Sequence, residues 1–151
     1  MEKTQLRRAL MPAALMLALG AQAEERSRPL DQTPDEVAYF VSFSIPEKSL
    51  VALLRGAQRE RVPVYLRGLV NDDMKATAQA VYRLENTYGV GSVNIDPLRF
   101  AHYGIASVPA LVRRCGEKFD VVYGNLAVRD GLELIDARGE CAKTRSTQQP
   151  Q

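Results

Sequence analysis

HYGIASVPALVRRC, residues 102–115, decides the fold. Gly104-Ile105 ends a short apolar turn, Ala106-Ser107-Val108 form a linker, and Pro109 stands directly before Ala110-Leu111-Val112-Arg113, which reads as a strand. A trans proline is tolerated at the first residues of a strand, where a missing amide does little harm. The other form, a cis Val108–Pro109 bond, is rare for an arbitrary X-Pro pair. The residues alone leave both open. Cys115 closes the stretch without a second cysteine two residues away; the chain's other cysteine is Cys141.

Downstream, Gly116 turns the chain and Phe119 to Tyr123, FDVVY, gives a second strand. Two strands so close together form a hairpin. Gly124 breaks the run, and Leu126 to Ala137 reads as a final helix with Leu132 and Ile135 inward and Val128 near its start. Upstream, Ser92 to Ile95 is a short strand; Asp96 then caps a one- or two-turn helix with Pro97 at its first position and Leu98, Phe100 and Ala101 following.

The front half repeats a strand–helix alternation. Val37 to Ser44, VAYFVSFS, is rich in β-branched and aromatic residues without polar alternation, so it predicts an interior strand covered on both faces. Ser44 as cap, Pro46 in the first turn and Glu47 three residues after Ser44 predict a capping box. Leu50, Val51, Leu54 and Ala57, with Leu53 beside them, form one helix face; Lys48, Arg55, Arg59 and Glu60 fall on the wet side. Val62 to Leu69 is a second strand with Pro63 at its start. Asn71 or Asp72 is expected to begin a helix to about Asn86, with Met74, Ala78, Val81 and Leu84 inward and Tyr88-Gly89 as its stop. The order β-α-β-α-β-α-β-β-α predicts a three-layer α/β/α sandwich around a mixed sheet.

The ends read differently. Lys3, Arg7 and Arg8, then the apolar run Ala9 to Ala21, then Ala21 and Ala23 before acids make a secretory signal over residues 1–23, cut after Ala23. The run is too short to span a bilayer well, so no stable membrane span is expected after cleavage. Residues 24–36 read as an extended lead-in, 37–141 as one domain, and 142–151 as a flexible tail. The whole chain carries a formal +2, but residues 1–23 hold three bases and one acid, so the remainder is neutral. No basic surplus points to nucleic acid. In an oxidising compartment, a Cys115–Cys141 disulfide is the expected state; two separate thiols are the alternative.

No reaction centre stands out. His102 is the only histidine, and a site around it needs a nucleophile and an orienting acid; Ser107 and Asp96 are near in sequence only. Asp72-Asp73 are better explained as a helix cap and first-turn acid than as cation ligands. There is no Gly-rich phosphate loop, HExxH pair or paired-cysteine metal spacing, and no cofactor or metal is implied.

From Phe100 to Gly124, the succession of small helix, Gly104-Ile105, linker, Pro109, hairpin and glycine resembles the second half of thioredoxin-like domains, and Tyr39 to Arg59 resembles their first strand–helix unit. That resemblance implies a cis Pro109. Redox-active members carry Cys-x-x-Cys at the first helix start, where the helix end lowers a thiol pKa. Here the stretch is Ser42-Phe43-Ser44-Ile45-Pro46-Glu47, and serine offers no disulfide exchange. YFVSFSIP (39–46), YLRGL (65–69), NIDPLRFAHYGIASVPALV (94–112) and Gly124 more narrowly resemble the TrbC family of F-type conjugative transfer proteins, described as pilin assembly factors. This implies a periplasmic, non-enzymatic assembly protein of a conjugative type IV secretion system, with a TraW-like partner and pilin or other channel components as further candidates. Some members have a much longer segment before the fold, so contacts made by that segment are not carried over. In thioredoxin relatives the residue before the cis-proline pairs with an extended peptide. The implied docking residues are Ser107, Val108 and Pro109, with Ser44, Ile45 and Pro46 across the groove. A partner face on the helices, a transient chaperone role and a thiol-independent enzyme are the competing readings.

Overall fold

A computed structural model of the chain describes residues 35–142. The signal over 1–23, most of the lead-in and the tail from 143 lie outside the described residues. Among the described residues, five strands form one sheet in the order β3-β2-β1-β4-β5. They are β1 (Asp35–Val41), β2 (Val64–Leu66), β3 (Asn94–Ile95), β4 (Ala110–Cys115) and β5 (Lys118–Tyr123). The helices are α1 (Glu47–Arg59), α2 (Met74–Tyr88), α3 (Pro97–His102) and α4 (Val128–Arg138). β1, β2 and β3 run parallel, while β4 is antiparallel to both β1 and β5. The sheet is mixed, as the element order requires.

β1 is central, and its alternation divides the core. Tyr39 and Val41 face α1 and α4, packing with Leu50, Leu54, Val128 and Ile135. Ala38 and Phe40 face the opposite way, onto Phe100 of α3, Tyr103 and Ile105. Helices therefore cover both faces. With the cis bond at Val108–Pro109, this is the thioredoxin-like α/β/α sandwich. α4 lies tight on β4, since a Cβ at Gly131 meets the Leu111 side chain at 2.6 Å.

Several local expectations need correction. β1 begins at Asp35, ahead of the expected start at Val37, because Asp35 and Glu36 already pair with Cys115 and Arg114. β1 also ends at Val41 rather than Ser44. The Ser44 capping box does not form. The Ser44 hydroxyl instead bonds to Ser42 Oγ at 2.9 Å, and Pro46 is the N-cap of α1 without a side-chain bond. α2 starts at Met74, not at Asn71 or Asp72. Those two residues take left-handed φ values of 51° and 54°, which a helix start cannot accommodate, and Asp73 caps through the amides of Lys75 and Ala76. Its inward stripe is Thr77 and Leu84, with Val81 half-buried; Met74 is 62% exposed and Ala78 faces solvent. Gly89, at φ 67°, ends α2 as expected. β4 continues past Arg113 to Cys115, which places that cysteine on the strand itself.

Candidate functional site

The parallel strands β1 and β2 end on the same side of the sheet, where α/β proteins place their ligand crevices. Three segments meet there: Ser42–Ser44 after β1, Arg67–Asp72 after β2, and Ile105–Val108 before β4. They enclose a groove of about 780 Å³ floored by Leu66 and Phe100.

Each wall has a local cause. After β1, Ser42 Oγ accepts from the Ser44 amide at 3.1 Å and its carbonyl accepts from the Ile45 amide at 3.1 Å, folding a tight serine turn. After β2, a 3-10 turn at Val70–Asp72 contains the left-handed Asn71 and Asp72. It is tied to α2 by Thr77: the Val70 amide donates to the Thr77 hydroxyl at 2.8 Å, and that hydroxyl donates to the Asp73 carbonyl at 2.7 Å. The third wall is set by α3. Asp96 caps it by accepting from the Arg99 amide at 2.9 Å, and the Asp96 amide donates to the Leu66 carbonyl at 2.9 Å, fixing α3 to the end of β2. Gly104, at φ 60°, then turns the chain into the linker.

α3 is anchored beneath by a buried ion cluster. The Arg99 guanidinium pairs with Glu36 and with Asp96 at 3.1 Å, and lies 4.5 Å over the Tyr65 ring. Burial pushes the Arg99 pKa down, with the neighbouring Tyr103 opposing it. The Tyr103 hydroxyl donates to Glu36, and burial raises its pKa. Tyr65 is raised by burial and by the Asp96 charge.

The implied docking residues do not all meet. Ser44, Ser107 and Val108 line the groove. Ile45 is half-buried and packs on the α1 side of the core, and Pro46 is spent as the N-cap of α1. Pro109 forms the cis turn itself, its carbonyl accepting from the Gly124 amide at 3.0 Å. Among the described residues, no backbone hydrogen bond reaches the N–H or C=O of Val108, so both are open for strand addition. The charged contribution was missed by sequence reasoning: Arg67 and Asp72 line the groove from the loop after β2. The rule that ligands bind beyond the carboxyl ends of parallel strands points to that loop.

His102 stacks edge-on against Tyr103 at 4.7 Å and lies 6.4 Å from the Phe119 ring; no hydrogen bond joins it to Ser107 or Asp96. Among the described residues no cluster has the composition to hold a metal ion. Cys115 and Cys141 are joined in a disulfide, Cα to Cα 5.5 Å. It lies at the far end of β4 from Pro109, roughly 20 Å along the strand.

The E. coli (strain K12) periplasmic protein TrbC is 47% identical over 103 residues, covering 68% of this chain; the chain spans about half (49%) of that relative's length. The solved structure of MTB dsbF in its mixed oxidized and reduced forms is similar over 68% of this chain and 79% of its own, at 20% identity and a TM-score of 0.44. No helix among the described residues is long and apolar enough to cross a membrane. The periplasm, the compartment for which the E. coli relative is named, is this chain's compartment too. Residues 39–135 match the family model described as type-F conjugative transfer system pilin assembly protein, and the chain belongs to that family.

Proposed function

We propose that this chain is a non-enzymatic periplasmic assembly factor of type-F conjugative transfer that holds an extended segment of a partner in the cis-proline groove. One observation carries the reading. The groove keeps the open backbone of Val108 opposite a serine turn, Ser42 to Ser44, where redox relatives hold thiols. Strand addition supplies main-chain affinity without chemistry. The cysteines' position supports the same reading, since their disulfide is at the other end of β4. The partner is a TraW-like conjugation protein, with pilin or another channel component as the alternative.

A tagged TraW-like protein co-purified from the periplasm tests this. Wild-type chain is retained, and Gly68→Trp, which fills the groove from the wall after β2 where a Cβ meets nothing within 4 Å, loses retention while its unfolding midpoint is unchanged. Retention of the Trp variant at the wild-type level overturns the groove. Insulin reduction with sustained turnover overturns the non-enzymatic reading.

A further inference from the structure

We infer that Arg67 reads a carboxylate: the segment that docks in the groove is an extended stretch of another protein with an aspartate or glutamate side chain opposite Arg67. This rests on the groove reading above and adds the chemistry of what the groove selects. Among the described residues that line the groove, Arg67 is the one cation and Asp72 the one acid. The Arg67 guanidinium is already positioned, because one nitrogen donates to the Ile105 carbonyl and its Cζ lies over the Phe100 ring, 5.2 Å from the centroid. A guanidinium has five N–H donors, so most of its fork is still available. No ion pair joins Arg67 to a described carboxylate, Asp72 included.

An exposed arginine usually forfeits much of an ion pair's worth in side-chain ordering. Here the ordering is in place before the ligand arrives, and the planar fork matches a carboxylate in bidentate geometry. Asp72, on the same loop, repels an acid placed near it, so the charge pair orients the segment as well as selecting it. The carboxylate belongs to a side chain rather than to a chain end. Both the N–H and the C=O of Val108 are open, and a segment continuing past that residue in both directions satisfies both.

The test uses the mature protein and a phage-displayed library of random linear peptides. Groove occupancy is read separately, with a photo-crosslinking amino acid at position 107. The expected result is that peptides captured at position 107 share an acid at one place. Changing that Asp or Glu to its amide weakens binding about tenfold, as does Arg67→Gln. Arg67→Glu selects a basic residue there instead. Arg67→Lys, which keeps charge without the fork, recovers only part of the affinity and serves with circular dichroism as the folding control. Peptides that crosslink at position 107 without a shared acid, and bind Arg67→Gln equally well, overturn the assignment and leave the groove standing. Peptides that need a free C-terminus overturn the side-chain reading. A library that yields no crosslink at position 107 overturns the groove reading and this proposal with it.

Discussion

The hydroxyl of Thr77, 3% exposed, accepts the backbone N–H of Val70 at 2.8 Å and so fastens one wall of the groove to α2. Thr77→Val keeps the shape and removes the acceptor. The Val70 amide is then left without its partner, at a cost of about 1–2 kcal/mol. Amide hydrogen exchange is expected to accelerate at Val70 and in the adjoining turn, while α1 and β1 keep their protection. Unchanged exchange at Val70 contradicts the fastening role.

Arg99 and Glu36 are a buried pair, with side chains 7% and 9% exposed. Arg99→Met leaves the Glu36 carboxylate charged and enclosed, and such a broken pair costs about 3–5 kcal/mol. Adding Glu36→Gln to Arg99→Met removes the orphaned charge, so the double variant is expected to be more stable than Arg99→Met alone. Urea unfolding of the two singles and the double measures the coupling. Simple additivity contradicts it.

The Cys115–Cys141 disulfide closes a separation of 26 residues between β4 and the segment after α4. Loop-closure entropy assigns such a bridge about 3.5 kcal/mol. Cys115→Ser with Cys141→Ser is expected to lower unfolding stability by about that amount. Partner retention under native conditions stays at the wild-type level, because the bridge is remote from the groove. Loss of retention by a folded double-serine variant ties the bridge to binding and contradicts this separation.

Burial pushes the Tyr39 pKa up to about 12, and Tyr65 and Tyr103 are raised as well. Below about pH 10, where tyrosines of the unfolded chain remain largely protonated, this contribution to stability is fully present. As pH rises further, phenols of the unfolded chain ionise first, so the contribution is lost progressively through the folded pKa. Stability is expected to fall between about pH 10 and 12, and Tyr39→Phe to flatten that fall. Its own cost at neutral pH is small, since the Tyr39 hydroxyl makes only a 3.4 Å bond to the Leu126 carbonyl. An identical alkaline slope in the variant contradicts the role of Tyr39.

Much of the fold was legible because periodicity and punctuation agreed. VAYFV (37–41) has no polar face, and the strand it belongs to is covered on both sides. Asp96-Pro97 and Tyr88-Gly89 marked a helix start and a helix end through their own backbone chemistry. The errors fell where a local partner replaced the one suggested by spacing. Ser44 had the spacing of a capping box, but Ser42 was the nearer partner. Met74 and Ala78 had helical spacing, but the left-handed Asn71 and Asp72 delay the helix and turn Thr77 inward instead. At the site, Ser44, Ser107 and Val108 were readable from the cis-proline pattern, whereas Ile45 turned to the core. Arg67 was hidden because its placement depends on a carbonyl, Ile105, that is distant in sequence.

Site-specific photo-crosslinking in cells that carry the transfer system tests the groove most directly. The crosslinker is placed at Ser107, inside the groove, or at Leu134, on the outer face of α4 and 37% exposed. The groove account predicts an adduct with a conjugation protein, TraW-like or pilin, from position 107 and none from position 134. Adducts with that protein from position 134 and none from position 107 contradict it and move the partner face to the helices.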